Sequence, residues 1–409
     1  MKVIICNDFA SVRGGADEVA IAESRGLADA GHQVVFAAGS GEEVDGRLRH
    51  AGITVELFGQ VSIRRGDANS KNAFISGLWN GDSGSKLSRV LADHAGPDTM
   101  VHVHGWTKAL TSAALKAIRD SGLPQVVTLH DYFAACPNGA LFDFQDGAPC
   151  PRAPMGLSCC AAQCDRRGRV HKIWRLARHG VLRARAGWPA AVRHSIAVSR
   201  LSESKIRPFL SKQNQTYLLP NPIDLRKQPA AAPAENKTFI YAGRLTQEKG
   251  VLNFARAAAA AGVDCLFVGT GDCQEEILRI NPSAQVPGWL PREKLVELMM
   301  RSRAFVFPSL WWETQGMVCL EALACGLPVI ASTTTGAAEW VIPGENGLHT
   351  DMTDPDSLTN ALRALAADDG KVRAMGQNAW RRYWENPSTL ERHIDGLSGI
   401  YSQVMADYA

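Results

Sequence analysis

Pro308-Ser309-Leu310-Trp311-Trp312-Glu313-Thr314-Gln315-Gly316-Met317-Val318-Cys319-Leu320-Glu321-Ala322 is the stretch on which the fold turns. The apolar run Ala304 to Phe307 before it reads as a buried parallel strand, and Pro308 ends that strand. Glu313 to Gly316 are polar or small, and the spacing Met317, Leu320, Leu323 is helical. The stretch is therefore a strand, a short loop and a helix N-terminus. Such a terminus leaves backbone N–H groups unpaired and carries partial positive charge, so it attracts phosphate or carboxylate oxygens. Two carboxylates flank it. Glu321 shares the ligand side with Glu313 only if Glu313 lies in the loop, because eight positions along a continuous helix turn ~80° past two full turns.

A chain of 409 residues exceeds one compact core and suits two domains. Apolar content of 45% with 21% charged residues describes a soluble globular protein. A formal net charge of +3 is too small to argue for nucleic acid, and none is expected as a partner. No stretch approaches the ~20 apolar residues of a membrane span, and Met1 to Ile5 reads as a strand rather than a leader. The expected compartment is the cytoplasm, where the ten cysteines would be mostly reduced.

Working outward to the N-terminal half, Lys2 to Cys6 reads as a strand, Asn7 to Gly15 as a loop, Ala16 to Ala30 as a helix and Gln33 to Ala38 as a strand. This opens a doubly wound α/β domain, with Gly14-Gly15 at the crossover where such sheets bind ligands. Without Cβ atoms the pair lets a ligand approach the backbone, although a plain turn explains it as well. Residues 59–88 are rich in Gly, Ser, Asn and Arg around Phe74, Ile75, Leu78 and Trp79; they read as an insertion with a short helix, poised to cover an acceptor. Strands at Thr99 to Val103 and Gln125 to Leu129 end in His104 and His130, both at the ligand edge of a parallel sheet. One such histidine is ordinarily structural; two at equivalent strand ends point to a site.

Cys136, Cys150, Cys159, Cys160 and Cys164 fall close together. Four thiolates from this set, Cys136, Cys150, Cys159 and Cys164, would close a structural zinc site; reduced packing thiols and a redox role stay open beside it. The region 166–194 is the most basic of the chain, with Val170, Ile173, Trp174, Ala177 and Val181 at helical spacing. It reads either as a helix docking on an anionic membrane or lipid-linked phosphates, or as a core-packed helix with a solvated basic face. His194 to Ser199 is a strand, with Ser202 as the expected N-cap of the helix after it, and the Pro- and Ala-rich run Lys227 to Lys237 reads as the interdomain linker.

The second half repeats the alternation. Thr238 to Ala242 is a strand that turns through Gly243-Arg244-Leu245-Thr246-Gln247-Glu248-Lys249-Gly250 into a helix. Arg244 and Lys249 beside a helix start suit a diphosphate, Arg as a fork and Lys as a point charge; a solvated turn is the plain alternative. Gly269-Thr270-Gly271-Asp272 lacks the third glycine of a dinucleotide fingerprint, which argues against a nicotinamide-dependent oxidoreductase.

Taken together, Gly243-Arg244-Leu245, Glu248-Lys249-Gly250, Pro308-Ser309, the pair Glu313 and Glu321, and Gly326-Leu327-Pro328-Val329-Ile330 resemble the family 4 glycosyltransferases over nearly the whole chain. The resemblance implies an α/β GT-B architecture, two facing Rossmann-like doubly wound domains with the active site in the cleft. It places an acceptor-side domain at 1–220, a nucleotide-sugar-binding domain at 221–388 and a helix crossing back at 389–409. It implies that Arg244 and Lys249 bind the donor diphosphate, that Glu321 takes the ribose hydroxyls, and that Glu313 and His130 face the sugar. Backbone N–H groups of Gln315, Gly316, Met317 and Val318 would hold sugar and phosphate oxygens, with Gly15 against the diphosphate from the other domain. Pro287 to Leu290 and the Asn221 turn would approach the base. It also implies retention of anomeric configuration, no catalytic metal or cofactor beyond the donor, and a glycan or lipid-linked acceptor in cell-surface polysaccharide assembly, with the protein at the inner face of the membrane if the basic region docks there. Gln315 departs from the family, many of whose members carry an aromatic residue there, and is the expected seat of donor choice. An inactive nucleotide-sugar-binding scaffold and a nucleotide-sugar epimerase are the rival readings on the same fold.

Overall fold

The computed structural model describes residues 1–41, 43–50, 52–60 and 71–408. The first domain is a seven-stranded sheet in the order β3-β2-β1-β4-β5-β8-β9. Its members are β1 (Lys2–Phe9), β2 (Gln33–Ser40), β3 (Ile53–Leu57), β4 (Thr99–Val103), β5 (Gln125–Leu129), β8 (His194–Ala197) and β9 (Gln215–Leu218), with a two-stranded hairpin, β6 (Phe142–Asp143) and β7 (Ala148–Pro149), between β5 and β8. The second domain is a six-stranded sheet in the order β12-β11-β10-β13-β14-β15. It comprises β10 (Phe239–Ala242), β11 (Cys265–Val268), β12 (Gln285–Gly288), β13 (Ala304–Phe307), β14 (Val329–Ser332) and β15 (Gly347–Thr350). All pairings within both sheets are parallel. Each sheet reverses direction of growth beside its first strand, which puts ligands at the carboxyl ends of β1 and β4 and of β10 and β13.

Alternation along the strands builds the cores. In β1, Ile4 and Cys6 pack on one face with Leu115 and Leu129, and Val3 and Ile5 on the other with Ile21 and Phe36. The second face is completed from far along the chain: the helix Leu390–Ala406 inserts Ile394, Leu397, Ile400, Tyr401 and Val404 into it. Each such side chain, fully buried, contributes about 1.5–3 kcal/mol, so this helix is anchored on the first domain.

Several expectations need correcting. β1 runs on to Phe9, so Asn7 and Asp8 are strand residues, and β3 had no counterpart in the sequence reading. The insertion at 59–88 lies in part, at 61–70, outside the described residues; it holds the short helix Lys71–Ser76, but from residue 81 it is the helix Gly81–His94, capped by Asn80. Asn80 Oδ1 accepts from the Ser83 amide, as a helix start requires. Ser199, rather than Ser202, caps Arg200–Ile206, and Ser202 closes a reciprocal capping box with it. The run 227–237 is packed rather than free: Trp380 Nε1 donates to Gln228 O at 2.8 Å and the Ala231 amide to Cys325 O at 2.8 Å. The last strand of the first sheet ends at Leu218, and Ile223 already packs in the core of the second.

The basic region is the helix Arg169–Val181 followed by a wider turn, Leu182–Ala186. Trp174 and Trp188 are core residues, Trp188 edge-on to Trp106. Much of the charge is spent internally: Arg175 pairs with Asp165 at 2.7 Å, and Arg166 reaches Asp272 of the second domain at 2.5 Å. Val170 and Ile173 remain 70% and 66% exposed, so one apolar stripe of the helix faces solvent. Among the described residues no helix is long and apolar enough to cross a membrane.

The zinc expectation also falls away. Among the described residues, the one group of three or more metal-capable side chains with ligand atoms within 4.8 Å of one another is Glu23, His102 and His104; the cysteines form no such group. A buried ammonium sits among them instead, Lys172 Nζ 3.1 Å from Cys164 Sγ and 3.7 Å from Cys159 Sγ. Cys136 Sγ turns to Asn138 Oδ1 at 2.9 Å, and Cys150 Sγ faces Arg152 at 3.8 Å.

Candidate active site

The loop after β13 and the turn after β10 make the C-terminal wall. Both depend on glycines with positive φ. Gly250 has φ +69°, and a Cβ there would fall 1.9 Å from Pro308 O; Gly316, at φ +84°, lies against the Phe307 ring. Gly316 precedes the helix Met317–Ala324, so Glu313 does lie in a loop and the amides of the first helical turn point toward the cleft. Across from it, the helix Gly15–Asp29 begins at a point where a Cβ on Gly15 would touch Met317 Sδ at 3.8 Å. Two helix N-termini, one from each domain, thus converge.

Lys249 sits in the short turn Gln247–Lys249 and forms an ion pair with Glu313. Trp311 Nε1 donates to the same Glu313 oxygen at 2.8 Å, and Lys249 lies over the Trp311 ring at 4.9 Å. Trp311 thereby fixes both charged groups, a role the sequence reading did not assign. Arg244 stays 65% exposed in its side chain, 3.7 Å from Glu248, so its guanidinium is free to swing toward an anion. Glu321 accepts from Arg292 at 2.7 Å. Burial pushes the Glu321 carboxyl up, and Arg292 pulls it partly back.

The N-terminal wall carries His130 after β5, its Nε2 2.9 Å from His104 Nδ1. Burial pushes the His130 imidazole down to about 3, so the ring is neutral at pH 7. Next to it, burial raises Asp131 to about 6. Asp8, at the end of β1, accepts from the amides of Lys108, Ala109 and Leu110 at 2.8–3.0 Å and so holds the loop after β4 in place.

The motif loop also stitches the walls together. Thr314 Oγ1 donates to His130 O at 3.1 Å, Ser199 Oγ donates to Thr314 O, and Lys205 lies 3.5 Å over the Trp312 ring. Gln315 is 1% exposed and clamps the crossing point: its Oε1 accepts from the Asn221 amide at 2.7 Å and its Nε2 donates to Asn221 O at 3.1 Å. The side chain singled out for donor choice is thus occupied by the chain itself, leaving its backbone amide for a ligand, and the backbone of the buried Asn221 is held by this contact. Trp289, at the end of β12, is 73% exposed. The structure therefore gathers Gly15, His130, Lys249, Glu313, Gly316 and Met317 around one cleft, with Arg244 and Glu321 flanking it.

Comparison with known proteins agrees with this geometry. The family model described as Glycosyltransferase Family 4 matches residues 13–227, and that of Glycosyl transferases group 1 matches 223–382. The chain belongs to the family 4 glycosyltransferases. Its relatives include a D-inositol 3-phosphate glycosyltransferase of Acidothermus cellulolyticus, 33% identical over 75% of this chain and 68% of that protein. Sucrose-phosphate synthase of Thermosynechococcus elongatus shares its fold, with a TM-score of 0.72 at 19% identity over 99% of both chains. So does HepE of Anabaena, solved with UDP and glucose, with a TM-score of 0.68 at 18% identity over 98% of this chain and 99% of that one. The enzyme is a glycosyltransferase of GT-B architecture, as the sequence resemblance implied.

Proposed function

We propose that this glycosyltransferase moves a sugar from a nucleotide-diphosphate sugar to a glycan or lipid-linked acceptor with retention of anomeric configuration. The observation that carries the reading is the convergence of two helix N-termini, where a Cβ on Gly15 would touch Met317 Sδ at 3.8 Å, beside the Lys249–Glu313 pair and with Arg244 on the flank. Such a site matches a diphosphate on which negative charge grows as the anomeric bond breaks. Lys249 and Arg244 neutralise that charge, the amides of Gln315 to Val318 and Gly15 hold the oxygens, and Glu321 accepts from the ribose hydroxyls. Glu313, held in place by Trp311, accepts from sugar hydroxyls, with His130 opposite. The reading assigns no described carboxylate as a covalent nucleophile; attack on the face of departure, with a donor phosphate oxygen taking the acceptor proton, gives retention. The UDP in HepE makes a uridine donor the first to try. The exposed Val170 and Ile173 beside Arg169 favour an acceptor presented at an anionic membrane, at the inner face in a cytoplasmic setting.

The test is a thermal-shift screen against UDP-, GDP- and ADP-sugars followed by a product assay. A donor that stabilises the protein should be consumed, and NMR of the product should show the donor's anomeric configuration. An inverted product rules out the mechanism. Stabilisation with neither transfer nor donor hydrolysis favours a binding scaffold, and an isomerised donor sugar without acceptor favours an epimerase.

A further inference from the structure

Behind His130 lies a buried polar chain that the reaction above does not use. His130 Nε2 meets His104 Nδ1 at 2.9 Å. His104 Nε2 lies 3.2 Å from Glu23 Oε2, two buried atoms whose hydrogen-bonding capacity nothing else fills, with His102 Nδ1 3.4 Å from the same oxygen. Glu23 Oε1 lies 2.8 Å from His393 Nε2, and His393 Nδ1 lies 2.8 Å from Pro220 O, at the crossing between the domains. Glu23 comes from the first helix and His393 from the last, so the contact spans 370 positions of sequence. His102 forms the side wall, its two ring nitrogens 2.7 Å from Tyr401 Oη and 2.7 Å from Thr128 Oγ1.

Hydrogen-bond chemistry gives this chain a direction. A carbonyl oxygen only accepts, so His393 donates to Pro220 from Nδ1. An ionised carboxylate also only accepts, so His393 carries a proton on Nε2 as well and stands as an imidazolium, and Glu23 faces N–H groups of His393 and His104 together. With His393 the cation paired to it at 2.8 Å, Glu23 is ionised and no second positive charge is needed on His104. With its proton on Nε2, a neutral His104 has a lone pair on Nδ1. It then accepts from His130, which carries its own proton on Nε2 and leaves Nδ1 bare toward the cleft.

We propose that Glu23, His104 and His393 are positioning residues that lock His130 in the Nε2–H tautomer, so that Nδ1 receives a hydrogen bond from a donor-sugar hydroxyl. The inference rests on the donor reading above for the identity of that hydroxyl, and on geometry alone for the tautomer. A His130 locked this way accepts and never donates at the sugar. It favours a free hydroxyl at the contacted carbon over an ether or a deoxy position, because either substitute leaves Nδ1 without its proton donor.

Two-bond proton–nitrogen spectra of 15N-histidine-labelled protein, with His130 assigned by its loss in His130→Asn, read the tautomer directly. The expected result is a protonated Nε2 and a bare Nδ1 on His130. A protonated Nδ1 overturns the proposal. A metal ion held between Glu23 and His104 Nε2 would produce that opposite result, since His104 would then donate from Nδ1, and stoichiometric metal in the purified protein would identify it. In Glu23→Gln the His130 signals should move toward a mixture of tautomers, and kcat should fall about 10-fold with donor KM changed less than about twofold. Wild-type spectra and wild-type kcat in that variant overturn the proposal. If Glu23→Gln does not fold, the wild-type spectrum still decides. Absence of turnover with every nucleotide sugar counts against the donor reading alone, because the spectrum requires no substrate.

Discussion

The two walls of the cleft solve the same task by opposite means. The C-terminal wall is built from residues near one another in sequence: Arg244 and Lys249 in one turn, Glu313 to Glu321 in one loop and helix, with glycines at the points of closest backbone approach. The N-terminal wall holds one histidine proposed to face the sugar, His130, through His104, Glu23 and His393, drawn from four separate elements of the chain. The first wall presents charge and open amides; the second is a closed network of buried polar side chains that presents a single ring. On the proposed donor reading, local motifs set what is bound and long-range packing sets how the sugar is faced.

The most severe way to break the comparison is to remove charge from the C-terminal wall. Lys249→Ala and Glu313→Ala should each lower kcat by about 100- to 1,000-fold, since each removes a fixed partner of the transition state. Circular dichroism and melting temperature should stay close to wild type, because Lys249 and Glu313 pair chiefly with each other and with Trp311. Near-normal turnover in both variants would remove the diphosphate reading of this wall.

Backbone is the next test. Gly250→Ala places a methyl 1.9 Å from Pro308 O at a φ of +69°, where an L-residue is already strained. Denaturant unfolding should show a loss of about 3 kcal/mol or more. A Gly250→Ala variant as stable as wild type would mean that the two loops of this wall are not held as tightly as their contact implies.

This contrast also explains what could be read before any coordinates. The parallel strands at 99–103, 125–129 and 304–307 stand where their apolar runs placed them, and the loop position of Glu313 followed from one glycine and one helical repeat. Those signals are local: period, turn chemistry and spacing within a dozen residues. Glu23 gave no signal, since one glutamate on an amphipathic helix is ordinarily solvated, and only the return of the last helix buries it beside three imidazoles. The tryptophans of the basic region and the cysteine cluster stayed open between readings for the same reason. Whether Trp174 or Trp188 meets lipid or core, and whether thiols converge on a metal or around Lys172, depends on elements brought in from elsewhere.

Acid sharpens the comparison at the level of stability. His102, His130 and His179 are held neutral by burial, the last two down to about 3. Their folded values lie below the unfolded value of about 6.5, so the stability they contribute is present above that pH and is lost as pH falls from there toward about 3. One unit below it, each costs about 1 kcal/mol. Glu321 on the other wall has the opposite sign, since its folded value is raised and its contribution is lost as pH rises. Melting temperature should therefore fall from pH 7 to 5, and it should fall further in a Glu321→Gln variant, which lacks the opposing gain. A rise in stability toward pH 5 would mean that the N-terminal network is already protonated.

The smallest effect concerns Gln315, where the two walls meet. Its amide holds both backbone groups of Asn221, and its side chain is closed to the cleft. Gln315→Leu keeps the bulk but leaves a buried N–H and C=O of the crossing strand unpaired, which should cost about 1–2 kcal/mol in stability. The order of preference among donors should not change, because the backbone amide at 315 is retained and no side-chain contact to a sugar is lost. Competition between UDP-glucose and UDP-galactose for the wild type and the variant measures this as a ratio of kcat/KM. An altered ratio at unchanged stability would return Gln315 to the donor site; a constant ratio with a lower melting temperature makes it the pin of the interdomain crossing, where an aromatic ring could not make the same paired bonds to Asn221.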